Sequence, residues 1–303
     1  TYEGNPLVIC LFGKYCCDYL GSFFLKKADF VIFYGYLFNC KHNIDLAEVV
    51  KFINHVTSEI GKKKFEYASC DVDHELYDTI AEYAFYECTR LEKIILPNSI
   101  RVIYSGAFMN CSNLKEATIY KPWKIIVFEG EIFANCTSLK EFKVPEGVTK
   151  INGQFEGCTS LETLELPNSL EEIGEFKNCG SLKSVSYKGT IEDWNKLSFR
   201  CYSERQLWNI DHFYLLDNNK NLYELTELVV PNTWIYVKQY AFSGIKSLTK
   251  VVIPKELGSI HDSAFRGCSN LSEVVFEKNS YLSSINKYAF ADCGKLKTIL
   301  MQL

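Results

Sequence analysis

Several things are missing from this 303-residue sequence, and each absence closes off a class of function. There is no long apolar run: the most hydrophobic stretches, such as residues 30–38, fall far short of the roughly 20 residues that a bilayer span requires, so no membrane span is expected. There is no basic excess either. With a formal net charge of -4 the chain lacks the Lys and Arg footprint that holds nucleic acid phosphates, so nucleic acid is not an expected partner. Histidine is scarce: His42, His55, His74, His212 and His261 stand without ligand spacing. Only Cys70-Asp71-Val72-Asp73-His74 gathers several donors, and no second ligand pair lies near it, so neither a metal nor another cofactor is expected. No C-x-x-C, H-E-x-x-H, G-x-S-x-G or phosphate-loop pattern occurs, and the chain is read as a non-enzyme.

What remains is an ordinary globular balance, 47% hydrophobic and 23% charged, that should fold in water. The chain opens on Thr1 rather than Met, so the lack of an export signal carries no weight. Cysteine is the abundant oddity. Thirteen of them suggest a disulfide framework at first count, but their placement gives another answer.

Phenylalanines at 85, 108, 133, 155, 176, 242, 265 and 290 are each followed three residues later by Cys, except where Ile245 takes that slot. Leucines at 91, 114, 139, 161, 182, 225, 248, 271 and 296 keep the same beat, in steps of 23, 25, 22, 21, 43, 23, 23 and 25. A fixed period in this range marks a repeat architecture. After each Leu the apolar residues alternate, as in Leu161-Glu162-Thr163-Leu164-Glu165-Leu166-Pro167, which is strand periodicity closed by a proline that cannot donate to a ladder. A second apolar pair, such as Ile100 and Ile103 or Leu257 and Ile260, leads to the next Phe. Phe and Cys at i and i+3 then share one side of a short helical or 3-10 return. One such unit cannot bury its apolar face alone, so neighbours must stack with their strands in a parallel sheet. The expected fold is an α/β leucine-rich repeat solenoid, curved, with a parallel sheet on one face and short helical turns on the other. Cys88, Cys111, Cys136, Cys158, Cys179, Cys268 and Cys293 are then small buried hydrophobes rather than ligands, and Ile245 in the same slot agrees with that.

The phrase L-x-x-I-x-I-P followed by L-x-x-I-x-x-x-A-F-x-x-C-x-x-L, seen over residues 91–114 and 248–271, resembles the BspA-like leucine-rich repeat family. The resemblance runs from about Ile80 to the C-terminus and implies a cell-surface or secreted protein that binds a protein or cell-surface ligand; a cytoplasmic location is the alternative. Domains are expected at residues 1–76 and 77–303, with a degenerate repeat or insertion at 188–224. In that segment Trp194 and Leu197 keep the i, i+3 spacing, Asp217-Asn218-Asn219-Lys220-Asn221 reads as a turn, and Leu225 restarts the strand pattern.

Upstream, residues 43–60 read as an amphipathic helix and residues 7–12 and 30–38 as strands. Residues 6–16 and 65–73 resemble the active-site strand and the next strand of thioredoxin, although Tyr19 stands where the second active-site Cys belongs. That resemblance implies an alternative function, a thiol-dependent redox protein using Cys16 with the repeats as a targeting arm; a resolving thiol would have to be Cys17. The competing reading is an irregular cap over the first repeat. Three Asn-x-Ser/Thr triplets begin at Asn110, Asn135 and Asn270, each inside a packed repeat turn.

Strand alternation also predicts which side chains face away from the core: those two and four residues after each Leu. Through the middle repeats this face is polar. At the C-terminal end it carries Val229, Val252, Val275 and Leu300 beside Glu227, Lys250 and Glu273. That strip is the candidate binding surface, against the simpler explanation that β-branched residues suit strands.

Overall fold

The computed structural model describes residues 79–96, 100–119, 127–201 and 209–301, together with two short strands, Leu7–Cys10 and Val31–Tyr34, that pair in parallel. These two strands coincide with the strands expected near the N-terminus. The helix expected at 43–60, and Cys16, Cys17, Cys40 and Cys70, lie outside the described residues.

The chain divides into two compact units, residues 1–148 with 153–160, and residues 149–152 with 161–303. In the first, Lys93–Leu96 pairs in parallel with Glu116–Ile119, each residue opposite its repeat-equivalent. A second ladder runs through Thr79–Ile80, Val102–Ile103 and Val127–Phe128, built from the second apolar pair of each repeat. Between the ladders stand the stacked rings of Phe85, Phe108, Phe133 and Phe155, with centroids 5.0, 5.3 and 5.7 Å apart and planes within 10° of parallel. Identical side chains one repeat apart are forced to the strand spacing, and aromatic rings accept that separation as an offset stack.

The second unit repeats this plan twice. Thr163–Leu166, Ser184–Tyr187 and His212–Leu216 form one parallel row. Glu227–Val229, Lys250–Ile253, Glu273–Phe276 and Thr298–Met301 form another. Short far-side ladders follow the same order, Lys150–Ile151 with Glu172–Ile173 and Ser198–Phe199, then Tyr236–Val237 with Ser259–Ile260 and Ser284–Ile285. Phe242, Phe265 and Phe290 continue as a stack, 5.4 and 5.2 Å apart. The fold is the parallel-sheet repeat solenoid that the period predicts.

The helical return is where expectation and structure part. Among the described residues the one α-helix is Ile191–Trp194; every Phe-to-Cys segment is a chain of turns. The cause is a backbone sign change. The residue two after each Phe is left-handed in all eight repeats: Glu87, Asn110, Asn135, Gly157, Asn178, Gly244, Gly267 and Asp292. In most repeats so is a residue four positions earlier, such as Tyr83, Gly106, Gly153, Tyr240 or Ser263. A right-handed helix cannot pass through such points. The amides they redirect bond the next repeat: Phe108 N–H donates to Ile132 at 2.9 Å and Asn110 N–H to Ala134 at 2.8 Å. The return is therefore a third inter-repeat ladder.

The repeat cysteines fill the core as expected, with Cys88, Cys111, Cys136, Cys158, Cys179 and Cys268 buried and Cys293 partly so. They also do something that their apolar role does not explain. Five of the seven thiols donate to the carbonyl of the preceding repeat's Phe: Cys111 to Phe85 at 3.1 Å, Cys136 to Phe108 at 3.2 Å, Cys158 to Phe133 at 3.1 Å, Cys268 to Phe242 at 3.0 Å and Cys293 to Phe265 at 3.2 Å, whereas Cys179 donates to Lys177 of its own repeat at 3.6 Å.

Residues 188–224 break the pattern. Thr190 caps the single helical turn in a capping box with Asp193, and Trp194 takes the core position, fully buried against Tyr187, Phe199 and Phe213. After His212–Leu216 the chain reverses at 217–221, where the Asp217 carboxylate accepts from the Asn219 and Asn221 amides, and returns as Leu222–Glu224 in an antiparallel pair. The turn was expected from its composition; the antiparallel return strand was not.

Candidate functional site

The strip read from the sequence assembles in the structure. Val229, Val252, Val275 and Leu300 are direct Cα partners across four parallel strands, and so are Glu227, Lys250, Glu273 and Thr298 one step along. The alternate residues Leu228, Val251 and Val274 turn inward and are buried. Val229 is 62% exposed and Leu300 44%, with Val252 and Val275 partly exposed between them. Neighbouring parallel strands lie about 4.8 Å apart, so the four apolar side chains make an unbroken row about 14 Å long.

The charged row is held differently. Lys250 Nζ lies 3.7 Å from a Glu227 oxygen and 3.9 Å from a Glu273 oxygen, shared between two carboxylates at distances too long for a tight bond with either. One lysine against two glutamates leaves a net negative edge beside the apolar row. These groups are solvent-accessible, so the pairs contribute little to stability, and their charge stays available to a partner.

Sequence reasoning missed the third element, the residues one after each Leu. Thr249 Oγ1 donates to the Thr226 carbonyl at 2.9 Å and Ser272 Oγ to the Thr249 carbonyl at 3.2 Å. The signal was a run of small hydroxylated residues at one phase of the repeat, which strand alternation does not single out. Spending their protons on the backbone makes this rim passive.

In the first unit Lys93 meets Glu116 at 2.7 Å, and Lys115 meets Glu92 at 2.9 Å. The buried thiols are not a reactive site: burial pushes Cys136 up to about 12, and Cys111 is driven well above its ordinary value first by its contact with the Cys88 thiol and then by burial. Both stay protonated and serve as donors. Among the described residues no group of three or more His, Cys, Asp or Glu could hold a metal ion, and no helix is long and apolar enough to cross a membrane.

Strands stacked in register, with Leu and Phe columns between two parallel ladders, define a leucine-rich repeat protein. The family model described as BspA type leucine rich repeat region (6 copies) matches residues 58–155, 127–212 and 218–302, and the chain belongs to that family. Among solved structures it is similar to a leucine rich cell surface protein of Faecalibacterium prausnitzii A2-165, with 21% identity over 74% of this chain and 76% of that one and a TM-score of 0.36. It is also similar to a leucine-rich repeat protein of Bacteroides ovatus ATCC 8483, with 24% identity over 73% of this chain and 69% of that one and a TM-score of 0.36. A leucine rich repeat protein of T. pallidum shows 22% identity over 76% of each chain and a TM-score of 0.32.

Proposed function

We propose that this chain is a protein-binding scaffold that works at the cell surface or in secreted form and recognises a protein or cell-surface ligand through the sheet face of its C-terminal repeats. The observation that carries this is the in-register row Val229, Val252, Val275 and Leu300, exposed beside Glu227, Lys250 and Glu273. Strand propensity accounts for single valines at water-facing positions, whereas a continuous exposed apolar row is also a favourable desolvation surface for a partner.

The test compares the wild-type chain with a Val229→Ser, Val252→Ser, Val275→Ser variant on a panel of extracellular-matrix and cell-surface proteins. The expected result is a set of bound proteins that the variant loses while its far-ultraviolet spectrum and unfolding midpoint stay close to wild type. Binding that persists unchanged in the correctly folded variant overturns the reading.

A further inference from the structure

The spacing of the strip restricts the shape of what can lie along it. Its four side chains belong to four different strands, so their separation is set by the backbone ladder at about 4.8 Å per step, giving stations at about 0, 4.8, 9.6 and 14.4 Å. An extended peptide lying along the row presents side chains on one face every two residues, about 6.7 Å apart, and falls out of step by nearly 2 Å at each station. An α-helix rising 1.5 Å per residue presents positions i, i+3, i+7 and i+10 at about 0, 4.5, 10.5 and 15 Å. Each of these stays within about 1 Å of a station, and a side chain can absorb that mismatch by changing rotamer.

The charged row supplies a second, independent constraint. Glu227 and Glu273 lie two strands apart, about 9.6 Å, which matches residues seven apart on a helix at about 10.5 Å. Lys250 sits midway and is already shared by both carboxylates, so the row keeps one net negative charge. We infer that the C-terminal strip receives an amphipathic α-helix of a partner protein, with apolar residues at i, i+3, i+7 and i+10 and, along one flank, basic residues seven apart. The apolar stripe replaces water over Val229, Val252, Val275 and Leu300, and the two basic residues meet Glu227 and Glu273. This rests on the proposed function of the same face and adds the secondary structure and charge of its occupant.

The experiment is a selection of random 18-residue peptides displayed on their own messenger RNA against the immobilised full chain. Recovered peptides are then titrated against wild type, Val252→Lys and Val275→Lys, and against Ile235→Lys, which adds the same charge at an exposed apolar residue off the strip. The expected peptides space their apolar residues three and four apart with Lys or Arg seven apart on one flank, gain helix signal on binding, and bind Val252→Lys or Val275→Lys about tenfold more weakly or worse, with Ile235→Lys unchanged. A Glu227→Lys, Glu273→Lys double variant should reverse the flank preference to acidic residues. Peptides that alternate apolar residues every second position yet still lose affinity for Val252→Lys overturn the helix while leaving the face in place. Peptides indifferent to both valine substitutions, or no enrichment at all, overturn the face and the helix together. Unfolding midpoints of each variant near wild type show that the losses are local.

Discussion

The regular repeats and the interrupting segment at 188–224 solve one problem in two ways. In most regular repeats the same few contacts recur: a stacked Phe, a thiol on the preceding carbonyl and ladders of backbone hydrogen bonds. No single step is indispensable, because each is a copy of its neighbours. The interrupting segment has no copy. Trp194 stands in for the Phe and reaches out of its own repeat, its indole N–H donating to the Ala241 carbonyl at 2.8 Å. Glu192 accepts from the Trp234 indole at 2.6 Å, and Lys238 donates to the Lys196 and Leu197 carbonyls at 2.8 and 3.0 Å. Where repetition stops, long-range side-chain bonds are added to the ladder pairings that Ser198–Phe199 and His212–Leu216 keep.

That difference predicts the largest effect. Trp194→Ala removes a fully buried indole from three aromatic neighbours and should cost about 3–5 kcal/mol, read as a lowered urea midpoint, with amide exchange rising first across 188–240. Trp194→Phe keeps a ring but leaves the Ala241 carbonyl without its donor, and should lose about 1–3 kcal/mol. A Trp194→Ala chain as stable as wild type would erase the distinction between keyed and repeated segments.

A smaller effect sharpens the regular side. The Cys136 thiol is raised by burial from 9.0 to about 12, so between those values the folded chain keeps a proton that the unfolded chain releases. Stability from this group is therefore complete below about pH 9 and declines as pH rises through the window, by at most about 1.4 kcal/mol per pH unit. The wild-type urea midpoint should fall faster between pH 8.5 and 10.5 than that of Cys136→Ile, whose side chain has a precedent in the same slot at Ile245. Equal slopes would mean that the thiol is not held as a protonated donor to Phe108.

Much of this was legible in the residues. Leu and Phe columns could be read because stacking requires the same residue at the same phase, and the outward row because strand alternation has a period of two. The thiol bonds could not, since a small buried hydrophobe and a buried donor are the same letter. The left-handed turn was largely written: Asn110, Asn135, Asn178, Asp292, Gly157, Gly244 and Gly267 are residue types that tolerate it, but Glu87 adopts it without any such signal, imposed by its neighbours. The return strand Leu222–Glu224 was hidden because a polar turn announces a reversal without saying whether the chain then pairs.

Those turn residues give the finest test of whether every regular step is the same. Glu87 holds φ at 57° with a side chain unsuited to it, whereas Asn110 holds 63° with one that is. Glu87→Gly should raise stability by about 0.5–1 kcal/mol, relieving the Cβ clash at the loss of an exposed contact with Tyr86, and Asn110→Gly should gain less. The reverse change is the control: Gly157 holds φ at 73°, and a Cβ there would run into the Asn135 side-chain oxygen, so Gly157→Ala should destabilise by about 1–2 kcal/mol or more. If urea midpoints rank Asn110→Gly above Glu87→Gly, or leave Gly157→Ala unchanged, the return is not governed by backbone sign, and the lack of helix there needs another cause.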